Sequence, residues 1–306
     1  MGRDSLRPAP EPRTLSAEGG PPPADRTPGV LYVISTPIGN LEDITLRGLR
    51  ILGEVDLIAA EDTRRTRVLL TRHGIQRPLT SYYDAVERAR APAIVEKLVA
   101  GATVALVSDA GTPGVADPGH HLVRGALAAG VPIVPIPGPS AVTALVSVAG
   151  LPADRFVFEG FLPSRSGPRR ARLAALAAES RALVFFEAAR RLAAFLADAA
   201  DVLGDREAVV ARELTKMHEE MLRGRLRELL ERVRAADVLR GEVTVLVAGA
   251  SRGEANEDEA MVDEQIREAR AAGKGLRELS LEIARRTGLG RRAIYQRALE
   301  LMRSRM

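Results

Sequence analysis

Three segments rich in glycine and proline each follow a short apolar run, and they hold the residues with the clearest chemical potential. Thr36-Pro37-Ile38-Gly39-Asn40 follows LYVIS, SDAGTPGVADPG (Ser108 to Gly119) follows TVALV, and Pro137-Gly138-Pro139-Ser140-Ala141 follows VPIVPI. Glycine lets a backbone approach a ligand closely, and proline stiffens the loop around it. The segments carry the acids Asp109 and Asp117 and neither lysine nor arginine. That chemistry suits a neutral or cationic ligand better than a cluster of phosphates. Standard signatures are missing: there is no G-x-x-x-x-G-K-[ST], no G-x-G-x-x-G and no nucleophile elbow, and His218-Glu219 lacks a second histidine one turn on. One such loop is an ordinary tight turn. Three at the ends of strands favour a ligand site, because ligands of α/β sheets gather at carboxyl ends.

The elements that must position these loops alternate. Short apolar runs at Leu31–Ser35, Asp56–Ala60, Leu79–Tyr82, Thr103–Val107 and Val131–Ile136 read as strands. Helical stretches lie between them: one opened by Asn40 with Asp43 three residues on, then Glu61–His73, Ala85–Val99, and one from an Asp117-Pro118 cap to Ala129. Alternation of this kind predicts an α/β domain with a largely parallel sheet. The following half differs. Strands are expected at Phe156–Phe161, Ala182–Glu187, Ala208–Glu213, His218–Leu222 and Glu242–Ala248, several close enough for hairpins in a mixed sheet.

The chain of 306 residues is therefore expected as residues 1–29, a disordered leader rich in Pro and Gly; 30–138, an N-terminal α/β domain; 139–250, a second α/β domain; 251–262, a polar, acidic linker; and 263–306, a basic helical tail. In the tail, LSLEIARRTGLGRRAIYQRAL resembles a helix-turn-helix, with Ala284 at the crossing, Gly288 in the turn and Ile294 on the second helix; a plain helical hairpin is the alternative. The uncharged stretch between Arg124 and Asp154 is interrupted by five prolines, which a lipid-spanning helix does not tolerate. Cysteine is absent, so disulfides, thiolate metal sites and cysteine nucleophiles are excluded, and a cytoplasmic location is expected. No metal is expected. The net charge is +4, and only Lys97, Lys216 and Lys274 are lysines, so arginine supplies nearly all positive charge.

The words STPIGNLEDITLRGLRIL, AEDTRRTRVLL, SDAGTPGVADPG, PIPGPSA and ELTKMHEEMLRG, spread in order over about Leu31 to Ala250, carry a resemblance. They resemble the tetrapyrrole-methylase fold superfamily and, within it, the 16S rRNA (cytidine-2'-O)-methyltransferases, whose C-terminal domain the basic tail also resembles. The resemblance implies two α/β domains with S-adenosylmethionine in a cleft between them, on a fold unrelated to the usual methyltransferase one. It implies methylation of a ribose 2'-oxygen at cytidine 1402 in the decoding region, with 16S rRNA or the assembled small ribosomal subunit as partner and a homodimer as assembly. Pro37 and Gly39 would close the first loop over the cofactor. Asp109, Gly111, Thr112 and Val115 would meet its amino-acid part and ribose, Ser140 and Ala141 would begin the helix that faces it, and Phe186, Glu187 and Leu214 would line the adenine side. A sulfonium cofactor without phosphates agrees with loops that carry acids and no cations.

The implied reaction is an in-line displacement at a sulfonium methyl, in which positioning and water exclusion do most of the work. The hydroxyl is a poor acid, so a base or a compensating cation helps. Glu61, Asp62, Asp109 and Glu213 are the acids at hand, and Asp62 or Glu61 is favoured as base or hydroxyl-orienter with Arg64 on a flanking phosphate. In the competing reading Asp62 caps its helix and Arg64 pairs with it. Lys216 either holds substrate or lowers the hydroxyl pKa, or it is an ordinary solvated lysine at a strand end. The basic loop PSRSGPRRAR, with Arg165, Arg169 and Arg170, and Arg291 and Arg292 in the tail are expected on RNA. Aromatic content of 3% argues against base-stacking platforms. Two other functions remain open at this level: a methyltransferase of the same fold for a small tetrapyrrole-like substrate, and a ligand-sensing DNA-binding regulator.

Overall fold

A computed structural model of the chain describes residues 28–236, 240–250, 252–287 and 291–303. The leader expected over 1–29, apart from its last two residues, and Gly288 in the expected turn lie outside these. The structure divides into two compact units, Met1–Ala141 and Val142–Met306.

The first unit is a parallel sheet of five strands: β1 (Leu31–Ile34), β2 (Leu57–Ala60), β3 (Leu79–Ser81), β4 (Val104–Val107) and β5 (Ile133–Ile136), in the order β3-β2-β4-β1-β5. Four helices connect them: α1 (Leu46–Glu54), α2 (Thr63–Arg72), α3 (Asp84–Val99) and α4 (His120–Ala128). Successive side chains on a strand point to opposite faces, and here both faces are buried. Ile34, Ile58, Ala60, Ala105 and Val107 pack with Ile51 and Leu52 of α1 and Leu69 and Leu70 of α2. Leu31, Ala59, Val104 and Leu106 pack on the other side with Ala91, Ile94 and Leu98 of α3 and Leu122 and Ala126 of α4. The chain thus leaves β1 toward one face and β4 toward the other. The neighbouring ends of β1 and β4 form the switch point of the sheet, where ligands of doubly wound folds bind.

Local chemistry adjusts several sequence-based boundaries. Asn40 caps only a short 3-10 turn, Leu41–Asp43, through its bond from the Glu42 N–H, and α1 starts afresh under a Thr45 cap. The helix expected from the Asp117-Pro118 cap begins instead at His120 after Gly119, whose φ of +150° breaks the chain direction. Gly29 is buried and donates to the Leu98 carbonyl at 2.8 Å, leading into β1.

The second unit begins with α5 (Ala141–Val148), whose first residue closes the first unit. Its sheet contains β6 (Phe156–Phe161), β7 (Ala182–Ala188), β8 (Glu207–Arg212), β9 (Glu220–Arg225) and β10 (Glu242–Val247), in the order β6-β7-β10-β8-β9. Only the β6–β7 pair is parallel, so the sheet is mixed, as the closely spaced strands predict. Helices α6 (Ser166–Ala175), α7 (Leu192–Leu203) and α8 (Leu226–Ala235) bury one face of it around Phe185 and Phe195. Residues 252–262, expected as a linker, are helical. They belong to α9 (Arg252–Ala271), whose many Glu and Ala residues are strong helix formers and outweigh the polarity of the segment. Together with α10 (Leu276–Thr287) and α11 (Arg291–Arg303), α9 encloses a small core of Val262, Ile266, Leu279, Ile283, Ile294 and Ala298, flanked by Ala284. Asp263 clamps Arg297 through two bonds of 2.8 and 2.9 Å across this core. No described helix is long and apolar enough to cross a membrane.

Candidate active site

At the switch point the first two glycine-proline loops are tied together. Thr36 and Gly111 exchange backbone bonds of 2.8 and 3.0 Å, a single antiparallel bridge just past β1 and β4. The Thr36 hydroxyl donates to the Ser108 carbonyl at 3.0 Å, and the Ser35 and Thr112 hydroxyls share a bond of 2.7 Å. Gly111 sits at φ +82°, a conformation that side chains strain. The third loop is pressed onto the first: a Cβ at Gly138 would stand 3.1 Å from the Ser35 Cβ and 3.3 Å from its carbonyl oxygen. The structure therefore brings Pro37, Gly111, Thr112 and the Pro137–Pro139 turn to one place, with Gly39 and Val115 exposed beside them and Ser140 and Ala141 next in the chain.

The acids of this edge form a linked group. Asp109 accepts the Asp62 N–H at 2.8 Å, and Glu61 accepts the Asp109 N–H at 3.0 Å. Burial raises the Glu61 carboxyl above its usual range; the Asp109 N–H works against this, and the Asp109 charge reinforces it. Asp62 behaves oppositely. It caps α2 by accepting the Arg64 N–H at 2.8 Å, and the Arg64 guanidinium holds it at 3.0 and 2.7 Å. These bonds lower its carboxyl to about 2. Of the two readings of Asp62, the helix cap paired with Arg64 is the one present.

Asp117, a helix cap by sequence, is instead the most perturbed acid of the edge. Burial pushes its carboxyl up to about 7, repulsion from Glu61 adds to that, and a hydrogen bond with the Ser108 hydroxyl opposes it. The helix end that follows is served by Glu87 of α3, a buried carboxylate that accepts the N–H groups of Gly119 and His121 at 3.0 and 2.7 Å. Sequence reasoning misses both roles, because Asp-Pro before a helix is the usual sign of a cap. The signal available is the number of carboxylates crowded at strand ends.

On the second unit, Phe186, Glu187, Leu214 and Lys216 lie at one sheet edge, where β7 and β8 end and β10 begins. Phe186 meets Phe158 edge-on at 4.9 Å and a tilted Phe161 at 5.5 Å between ring centroids. Glu187 has a fully buried side chain. Its Oε1 accepts the Ala188 N–H at 2.8 Å and lies 3.1 Å from the Arg191 Nε, while its Oε2 has no protein partner. Burial raises its carboxyl, and the Ala188 N–H and Arg191 act against that. The Lys216 ammonium is not simply solvated: it donates to Glu213 at 2.9 Å and Glu242 at 3.1 Å. Burial favours its neutral form, but the two carboxylates outweigh this and hold its pKa above the ordinary value. Glu213 and Thr215 both have positive φ, 53° and 65°, and a Cβ on Gly241 would collide with the Glu213 carboxylate. With Ala116 at 62°, these are the non-glycine positive-φ residues of the described chain, and all three lie in loops expected to bind ligand.

The basic loop is largely neutralised. Arg169 is buried and pairs with Asp198 at 2.6 Å, Arg170 reaches Asp198 and Asp201, and Arg172 holds Glu159 through two bonds. These side chains tie α6 to α7 and β6; Arg169, expected on RNA, is buried in this contact, while the Arg170 side chain stays partly exposed. Arg165 and Arg291 are exposed; the side chain of Arg292 lies outside the described set. No group of three or more potential metal ligands occurs among the described residues.

The doubly wound first unit, the mixed second sheet and the bridged loops define a methyltransferase of the tetrapyrrole methylase class, and the family model for Tetrapyrrole (Corrin/Porphyrin) Methylases matches residues 30–230. Uroporphyrin-III C-methyl transferase from Thermus thermophilus, solved in complex with S-adenyl homocysteine, has the same fold: TM-score 0.52 at 21% identity, covering 71% of this chain and 97% of that one. Two relatives are much nearer in sequence, both named ribosomal RNA small subunit methyltransferase I. The one from Mesorhizobium japonicum is 46% identical over 280 residues, 91% of this chain and 94% of its own. The one from Pseudomonas aeruginosa is 45% identical over 274 residues, 89% of this chain and 97% of its own. The chain belongs to the ribosomal RNA small subunit methyltransferase I family.

Proposed function

We propose that the protein transfers a methyl group from S-adenosylmethionine to the ribose 2'-oxygen of a cytidine in the decoding region of 16S rRNA, with the RNA or the assembled small subunit as substrate. The observation that carries this is the Thr36–Gly111 bridge at the switch point, within a chain whose near relatives over nine-tenths of its length are named as methylases of small-subunit rRNA.

The residues fit the cofactor. The three loops present backbone, hydroxyls and carboxylates with no lysine or arginine, a donor set suited to a sulfonium cation, and Glu187 keeps a buried oxygen without a protein partner. Gly111, Thr112, Pro37 and the Gly138 turn of the first unit would hold it. When bound, the cofactor supplies an electrophilic methyl on a good leaving group.

The chain must then orient the ribose hydroxyl, exclude water and take a proton. Asp62, saturated by Arg64, is a weak acceptor. Asp117 and Glu61, whose carboxyls burial raises, are better matched to a proton released near neutral pH. Lys216 stays protonated between its two carboxylates and serves as a fixed positive charge, not as a base. A cytoplasmic homodimer is the setting we infer. The test is incubation with methyl-labelled S-adenosylmethionine and small subunits lacking ribose methylation. Label in 16S rRNA supports the proposal, and bound cofactor without label in RNA overturns it.

A further inference from the structure

Two of the three arginines expected on RNA at the α6 loop, Arg169 and Arg170, are engaged by Asp198 and Asp201, so the RNA needs further cations. Helices α3 and α4 both start at the carboxyl edge of the first sheet and run side by side away from it. Between them lies an open groove of about 360 Å³ lined by Arg88, Ala91, Pro92 and Val95 of α3 and by His121 and Arg124 of α4, among others. Gly125 lets the helices approach: a Cβ there would be 3.1 Å from the Val95 Cγ2.

We propose that this groove seats the phosphodiester backbone of the substrate RNA, with Arg88 and Arg124 on its two walls as phosphate contacts. The inference rests on the proposed rRNA reading and names a surface for it. No carboxylate lines the groove. Glu87, beside Arg88 on α3, is buried and turned onto the Gly119 and His121 N–H groups and does not pair with Arg88. Arg88 and Arg124 are both exposed, and no ion pair involves either among the described residues. A guanidinium fork matches phosphate geometry, and the small apolar floor of Ala91, Pro92 and Val95 leaves room for a backbone to lie along the helices. His121, near the carboxyl edge, adds a hydrogen-bonding side chain on the side of the loops that would hold the methyl donor.

The test is the salt dependence of binding of a 16S rRNA transcript to the full-length protein and to its Arg88→Ala/Arg124→Ala double variant, with S-adenosylmethionine affinity measured in parallel. The double variant should bind RNA about tenfold more weakly, and its slope of log K against log salt should be shallower by about one for each phosphate left without its arginine. Cofactor affinity should be unchanged. The Arg88→Lys/Arg124→Lys variant keeps the charge and should recover most of the slope, which a folding defect would not allow. Arg72→Ala, at the far end of α2, should leave binding within about twofold. An unchanged affinity and slope in the double alanine variant, or an equal fall for Arg72→Ala, overturns the groove while the parent still methylates RNA. A parent that neither binds nor methylates RNA overturns the function itself, and the groove with it.

Discussion

The Asp62 carboxylate and the Arg64 guanidinium, two residues apart, meet through bonds of 3.0 and 2.7 Å, while the same carboxylate accepts the Arg64 backbone N–H at 2.8 Å. One acid thus caps a helix and anchors a cation at once. A carboxylate so occupied, with its pKa lowered to about 2, has little affinity for a ribose proton. This relationship moves the proton-accepting role toward Glu61 and Asp117, which share the edge but not the arginine.

Asp62→Ala should therefore behave as a capping mutation. Thermal unfolding is expected to show a lower melting temperature, and kcat for RNA methylation should stay within about threefold of the parent, well short of the roughly hundredfold or greater loss expected on removing a general base. A hundredfold loss of kcat with unchanged cofactor binding would restore Asp62 as the base.

Asp117→Asn should lower kcat by about a hundredfold and change the response of stability to pH. The carboxyl titrates near 3.8 when unfolded and at about 7 when folded. Between those values the folded chain keeps a proton that the unfolded chain has released, so this group makes stability fall as pH rises through the window and adds no further change above it. Asparagine cannot ionise. Melting curves from pH 4 to 8 should show the variant gaining on the parent up to about pH 7 and holding a constant lead beyond. Parallel curves would contradict the buried carboxyl.

Gly138→Ala should separate the third loop from the first. Its Cβ would meet Ser35 at 3.1 Å, a contact that neither backbone relieves without moving. A shift of this kind is expected to weaken S-adenosylmethionine binding by about tenfold, at a cost in stability of about 1–2 kcal/mol. Calorimetric titration with the cofactor reads the first effect and denaturant unfolding the second.

Arg169→Ala breaks a buried ion pair and leaves Asp198 without its closest cation. The expected loss is about 3 kcal/mol in denaturant unfolding, with RNA affinity of the folded protein little changed. A specific fall in RNA affinity at full stability would return Arg169 to the RNA surface.

Much of the fold is legible in the sequence because the strands are buried on both faces and read as unbroken apolar runs. Leu31 to Ile34 and Val104 to Val107 are plain from residue type alone, and so are the glycines that end them. The site is only partly legible. Its loops announce themselves by composition, but which carboxylate is free depends on partners distant in sequence. Asp117 looks like a cap until Glu87, thirty-two residues before Gly119, is found in that role. Arg169 looks like part of a basic patch until Asp198 is found beside it. Charge neutralisation across elements leaves no trace in local spacing. The acidic run at 252–262 reads as a linker by polarity and folds as a helix by propensity.

The most direct measurement maps the methyl group. Small subunits lacking ribose methylation are incubated with labelled S-adenosylmethionine and the protein, and the recovered 16S rRNA is cleaved with alkali, which needs a free 2'-hydroxyl. The expected result is label in one alkali-resistant dinucleotide containing a decoding-region cytidine. Label released as an alkali-sensitive mononucleotide, or none in RNA at all, would contradict ribose methylation by this protein.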